Sequence, residues 1–249
     1  MGSKRFYGHG LPELDLNQLK GTLIVIEGGD GAGRTTQCQL LRDAIERLGY
    51  PAIEVGLKRS RLVGRDLAEA MRSNVLCPRT LGLFYATDFA DQLETVTIPA
   101  LRAGFVVIAD RYIYTLMARD IVRGADPKWI RGVYGFALVP DLVFYLKVSP
   151  RILAERSLQK SGVLNYWESG MDIQRSGDMH QCFIYYQNRL FQQFSLMKDE
   201  FTFVMVNGNR DAMHIHREMQ DTVAKLLESP AHALDLPRPE IAESAQLPS

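Results

Sequence analysis

Residues 23–37 read LIVIEGGDGAGRTTQ. Leu23, Ile24, Val25 and Ile26 form a short β-branched run that ends at glycine, the pattern of a strand buried on both faces. A glycine-rich turn follows. Beyond it, Leu40, Leu41, Ala44, Ile45 and Leu48 recur at helical spacing up to Gly49, which predicts a helix. Between strand and helix, Gly28-Gly29-Asp30-Gly31-Ala32-Gly33-Arg34-Thr35 matches G-x-x-x-x-G-K-[ST] with arginine in the lysine position. Such a loop suits polyphosphate: backbone N–H groups converge at a helix N-terminus, and side chains would block the approach. Gly28 to Thr36 are therefore candidate nucleotide-binding residues, and the Thr35 hydroxyl is a candidate ligand in the shell of a magnesium ion. A dinucleotide reading fails because the third glycine of G-x-G-x-x-G is missing, whether counted from Gly29 or Gly31, which leaves Glu54 without a ribose role. Arg34 keeps the charge of the usual lysine but is bulkier, planar and bidentate. It either neutralises the transferring phosphoryl group or binds phosphate while obstructing transfer.

Outward from this segment, strands and helices alternate. PAIEVG predicts a second strand, FVVIADRY a third, PDLVFYLKVS a fourth and FTFVMVNG a fifth. Helices are expected over 65–71, over 81–101 with an end near Gly104, over 150–158, 179–198 and 211–228. The alternation predicts an α/β fold of three layers, a five-stranded parallel sheet flanked by helices. Ligands in such sheets gather beyond the carboxyl ends of the strands. Residues 1–20 read as an N-terminal extension rather than a core element, 21–228 as the domain, and 229–249, with four prolines, as a disordered tail.

Composition limits the function classes. Of 249 residues, 46% are hydrophobic and 23% charged, with 29 lysines and arginines against 29 acidic residues. A balanced chain has no global pull towards nucleic acid or an anionic membrane. Three cysteines without a C-x-x-C pair, no secretion-type leader and no membrane-length apolar run make the cytoplasm the expected location. His214 and His216 face different sides of their helix and do not suggest a metal pair. No N-K-x-D guanine motif is present.

The segment from Glu27 to Gln37 resembles the E-G-x-D-G-A-G-K-[ST]-T-Q of the thymidylate kinase branch of nucleoside monophosphate kinases. Asp110-Arg111-Tyr112 is similar to the family's D-R-[YF], and PDLVFYLKVSP (140–150) to its P-D-L-x-x-x-L-x-V-x-P. The likeness runs from about Gly21 to Leu227. It implies the three-layer P-loop kinase fold and ATP- and magnesium-dependent transfer to a nucleoside monophosphate, dTMP first, in a homodimer. It further implies that Asp30 faces the acceptor, that Arg111 binds the acceptor phosphate and that Asp110 orients metal-bound water. Tyr85 corresponds to the aromatic that stacks on thymine, and Asn207-Gly208 to the adenine loop.

The departures fall on the acceptor side. Phe89 stands where the family has arginine, Leu57-Lys58-Arg59-Ser60 where it has R-E-P-G, and Thr115 with Arg119 where it has S-x-x-x-Y. Tyr112, Thr115, Phe89 and Arg119 join Asp30, Tyr85 and Arg111 as acceptor-binding candidates, with Arg34, Asp110 and Arg111 as the catalytic set. A lid is expected near 159–178, offering Lys160 and Arg175, with Arg156 just before it, and made apolar by Tyr166, Trp167 and Met171. Two alternatives stay open: a same-fold kinase with a different phosphorylated acceptor, motivated by Phe89, Arg119 and the Lys58–Arg61 cluster, and a nucleotide-binding regulator or scaffold, motivated by Arg34 and the lid.

Overall fold

The computed structural model describes residues 4–73, 76–173 and 178–228. Strands β1 (Thr22–Gly28), β2 (Ala52–Gly56), β3 (Val106–Asp110), β4 (Leu142–Lys147) and β5 (Val204–Asn207) form one sheet in the order β2-β3-β1-β4-β5, every pairing parallel. Around it lie α1 (Arg34–Arg47), α2 (Gly64–Ser73), α3 (Pro78–Gln92), α4 (Ile98–Arg102), α5 (Ile113–Val122), α6 (Pro127–Val133), α7 (Pro150–Ser161), α8 (Met179–Glu200) and α9 (Ala212–Glu228). The expected α/β architecture is present.

Alternation within each strand builds two cores. Leu23 and Val25 of β1, Val107 and Ala109 of β3, and Val143 and Tyr145 of β4 join one cluster with α3, α5 and α8. Ile24 and Ile26, Val106 and Ile108, and Phe144 and Leu146 join the other with α1 and α9. This is the period-2 geometry of a sheet covered on both sides, and it explains why the strands read as unbroken apolar runs. The order reverses at β1, so the crevice at the carboxyl ends of β1 and β3 is the switch point where α/β sheets hold ligands.

Two expectations need correction, and two helices, α5 and α6, have no counterpart in the periodicity reading. The helix expected over 81–101 begins at Pro78, and its path widens into a π-turn at Leu93–Thr97 before α4. Pro99 lacks an N–H and its ring crowds the carbonyl four residues back, which a wide turn accommodates. Helix α5 escaped the periodicity reading because seven of its ten residues are buried, leaving no polar stripe. Residues 4–19, expected outside the core, lie against it, with Phe6, Tyr7, Leu11, Leu14 and Leu16 half-buried on its surface. Lys4 pairs with Asp141, Phe6 bridges Leu138, the Tyr7 and Tyr114 hydroxyls share a hydrogen bond, and Leu19 is buried. The expected tail, 229–249, lies outside the described residues. No helix among the described residues is long and apolar enough to cross a membrane.

Candidate active site

The cradle grows directly out of β1. Gly31 and Gly33 have φ of +85° and +89°, conformations that L side chains resist, and Gly33 is the N-cap of α1. At Gly31 a Cβ would stand 2.8 Å from the Leu153 carbonyl oxygen of α7, so the loop's tightness depends on glycine. Ala32 is buried beneath the loop, whereas Gly33, Thr35 and Thr36 are exposed at its mouth.

Arg34 turns inward. One terminal nitrogen donates to the Gly28 carbonyl at 2.6 Å and also to that of Gly29, while Nε donates to Asp110 Oδ1 at 2.9 Å. The side chain is about 10% exposed. Three donors in a fixed fork thus tie the loop's first two carbonyls to the end of β3, a span that a lysine's single ammonium would not cover in the same way. The Thr35 hydroxyl donates to the other Asp110 oxygen at 2.9 Å. Burial alone would raise the Asp110 pKa, but Arg34 and Arg111 hold it below the usual carboxylate range. A hydroxyl and an ionised carboxylate this close, at the mouth of a loop of N–H groups, are hard oxygen donors of the kind magnesium takes while keeping its waters.

Arg111 follows β3 with φ +74°, a strained conformation for a non-glycine residue, fixed by its N–H to the Ile26 carbonyl at 3.1 Å. Its guanidinium is ion-paired with Asp30, and Arg119 reaches the same carboxylate at 3.2 Å. Asp30 is only 6% exposed. Burial pushes its pKa up, yet Arg111 and Arg119 together hold it well below the ordinary range, so it stays ionised.

Asp30, Arg34, Asp110, Arg111, Arg119 and Tyr85 all line one cleft of about 450 Å³. Lys58 and Arg59, Lys160 of α7, and Trp167 and Glu168 complete its walls. The loop carrying Lys58, at φ +63°, is held by the fully buried Asp88, which accepts from the Lys58 and Ser60 N–H groups at 2.7 and 2.9 Å. Tyr85 stands at the apolar end, its hydroxyl 3.0 Å from Met71 Sδ.

Three acceptor candidates face elsewhere. Phe89 lies in the core edge-on to Tyr112, with ring centroids 5.0 Å apart. The Tyr112 hydroxyl donates to the Leu138 carbonyl at 2.8 Å, and Thr115 donates to Glu27 through both its N–H and its hydroxyl. None of the three lines the cleft. Tyr112 and Thr115 follow Asp110 closely in the chain, but α5 enters the core immediately and turns both inward, and Phe89, four residues after Tyr85, is on the buried side of α3. On the donor side, Asn207 and Gly208 lie at the end of β5, and Arg156 donates to the Gly208 carbonyl at 3.0 Å. Glu54 is ion-paired with Arg42 at 3.1 Å.

The lid differs from its expectation. Residues 159–161 complete α7, and much of 164–173 is packed down, with Leu164, Trp167 and Ser169 buried. Arg123 is the fastener. It holds Asp172 through two nitrogens at 2.7 and 3.2 Å, the Tyr186 hydroxyl at 2.6 Å and the Trp167 carbonyl at 3.2 Å. Trp167 Nε1 donates to the Met71 carbonyl at 2.8 Å, which joins this segment to α2. Arg175 lies outside the described residues.

Sequence reasoning also missed Glu27, which is buried at the end of β1 and accepts from the Tyr112 and Thr115 N–H groups. Burial raises its pKa against those hydrogen bonds. A lone carboxylate inside an apolar strand was the available signal. Asp88 offered a similar clue on an apolar helix, whereas Arg123 and Asp172 offered none.

The family description "Thymidylate kinase" matches residues 26–199. The chain is 34% identical over 212 residues to a probable thymidylate kinase 2 of Saccharolobus solfataricus, covering 85% of this chain and 99% of that protein. It is 28% identical over 207 residues to a thymidylate kinase of Fervidobacterium nodosum, covering 79% and 95%, and 36% identical over 159 residues to one of Shouchella clausii, covering 59% and 72%. With a glycine cradle, a strand-end Asp-Arg pair and a match over most of its length, the chain belongs to the thymidylate kinase family.

Proposed function

We propose that the protein transfers the γ-phosphoryl group of ATP to dTMP, giving dTDP and ADP. An oxygen of the acceptor phosphate attacks the γ-phosphorus, and the bond to the β–γ bridging oxygen breaks. The observation that carries this reading is the meeting of Asp30, Arg111 and Tyr85 in one cleft beside the cradle. Arg111 supplies a fork for the acceptor phosphate, Lys58 and Arg59 add charge, and Tyr85 offers an aromatic face. The loop amides from Gly28 to Thr36 hold the donor phosphates, with Arg156, Asn207 and Gly208 towards the adenine. Such a reaction asks for positioning and charge neutralisation more than covalent chemistry.

Thr35 and Asp110 would hold magnesium, which when bound offsets charge on the transferring oxygens. Arg34 keeps the loop carbonyls and Asp110 in place from below. A homodimer, a cytoplasmic setting and a catalytic domain spanning 21–228, with residues 4–19 packed against it, belong to the same proposal, and sedimentation checks the first. A monophosphate panel with radiolabelled ATP tests the activity, and saturable turnover of dTMP is expected. A second reading, nucleotide binding without turnover, is favoured by the engagement of Arg34 with backbone carbonyls. Turnover by the unmodified protein overturns it.

A further inference from the structure

Glu27 is a carboxylate that does not line the cleft, yet it is bonded to the chain on both sides of the residues that carry Arg111 into it. It is fully buried at the carboxyl end of β1. One of its oxygens, Oε1, accepts from the Tyr112 N–H at 2.9 Å and from the Thr115 N–H at 3.1 Å, and the other accepts from the Thr115 hydroxyl. Tyr112 is the N-cap of α5, and its own side chain makes no capping bond. Glu27 therefore caps α5 from β1, placing a carboxylate where a helix leaves N–H groups free and its dipole is positive.

The cap also fixes Arg111, which immediately precedes the N-cap. Its φ of +74° persists only where the surroundings hold it. The Arg111 N–H donates to the Ile26 carbonyl at 3.1 Å, and the next N–H, that of Tyr112, donates to Glu27. Two consecutive residues of β1 thus grip the peptide groups on either side of Arg111, while its guanidinium is paired with Asp30 in the cleft. We propose that Glu27 is a positioning residue that sets the Arg111 guanidinium against the acceptor phosphate. Arg119 needs no such support, because it lies further along α5, a helix held by the burial of seven of its ten residues. The inference rests on the reading of Arg111 as the fork for the acceptor phosphate.

The test is a double-mutant cycle read by kcat with dTMP and by ATP affinity. Glu27→Ala removes both N–H bonds, so kcat should fall about 10–10²-fold, the scale of a small misplacement of a group at the reacting centre. Glu27→Gln keeps an oxygen able to accept from both N–H groups, and should restore kcat to within about threefold of wild type. ATP affinity by calorimetry should change by about threefold or less in both variants, because the loop amides are untouched. In an Arg111→Ala background, Glu27→Ala should cost about twofold or less, since no guanidinium is left to position. If Glu27→Ala does not fold, Glu27→Asp, a methylene shorter, takes its place with the same expectations. The inference is overturned while the kinase activity stands by any of four results: an unchanged kcat in Glu27→Ala, a Glu27→Gln variant as slow as the alanine one, an ATP affinity that falls in step with kcat, or effects that multiply in the double variant. Arg111→Ala turning over dTMP as fast as wild type would instead remove the reading of Arg111 on which the inference rests.

Discussion

Replacing Arg111 tests the site at two levels, because the residue combines a charge in the cleft with a strained backbone. Arg111→Ala and Arg111→Gly both remove the fork proposed to hold the acceptor phosphate. Asp30, 6% exposed in the wild type, would keep Arg119, at 3.2 Å, as its ion-pair partner. Losing one partner of a buried pair costs about 3–5 kcal/mol when the remaining charge is uncompensated; with Arg119 still present, about 1–2 kcal/mol of stability is expected. A preorganised charge acting on the reacting oxygens is worth about 3–4 kcal/mol in the transition state, so kcat should fall about 10²–10³-fold in both variants. ATP affinity, set mainly by the loop amides, should change by about threefold or less. The two variants then part on stability. At φ +74° an alanine keeps a steric strain of about 1–2 kcal/mol that glycine lacks, while glycine gains about 0.4–1 kcal/mol of unfolded-state entropy. Arg111→Gly should therefore be the more stable by about 0.5–1 kcal/mol. ADP-coupled turnover, ATP calorimetry and urea unfolding measure the three quantities. Turnover within about threefold of wild type would refute the assigned role, and an alanine variant as stable as the glycine one would refute the strain argument.

Other outcomes follow from the same geometry. Arg34→Met deletes three donated hydrogen bonds and leaves Asp110 with Thr35 and the more distant Arg111, so a stability loss of about 2–3 kcal/mol in urea unfolding is expected. Arg123→Leu should speed amide hydrogen exchange across 164–173 while the β1 and β3 amides keep their protection, as expected where one buried side chain fastens a local segment. Burial pushes the Asp120 carboxyl up to about 6, against a pull from Arg123, so the folded protein holds a proton that the unfolded chain releases near pH 4. Stability from this group therefore falls as pH rises from about 4 to 6, and Asp120→Asn should flatten that slope and stabilise by up to about 2–3 kcal/mol at pH 8. Asp30 works in the opposite sense. Its depressed pKa contributes stability that is fully present above about pH 4 and is lost on further acidification, and this loss should be smaller in Arg111→Ala, where the native shift is smaller.

The sequence alone determined the parts that depend on contiguous residues. Unbroken β-branched runs specify strands buried on both faces, alternation with helices specifies a parallel sheet, and the spacing from Gly28 to Thr35 specifies a phosphate loop, because each is a local stereochemical requirement. Tertiary packing decided where side chains point. Tyr112 and Thr115 follow Arg111 closely in the chain, yet the rotation of α5 about its axis, fixed by its burial in the core, sends them to Leu138 and Glu27 while Arg119 reaches Asp30. Arg34 was legible as a substitution, but not as a fork gripping Gly28, Gly29 and Asp110. The fastening of 164–173 joins Arg123 to Asp172 across 49 positions, a distance that no periodicity spans. Local pattern fixes which elements form, whereas the register and rotation of packed elements, set by long-range burial, fix which groups meet in the cleft.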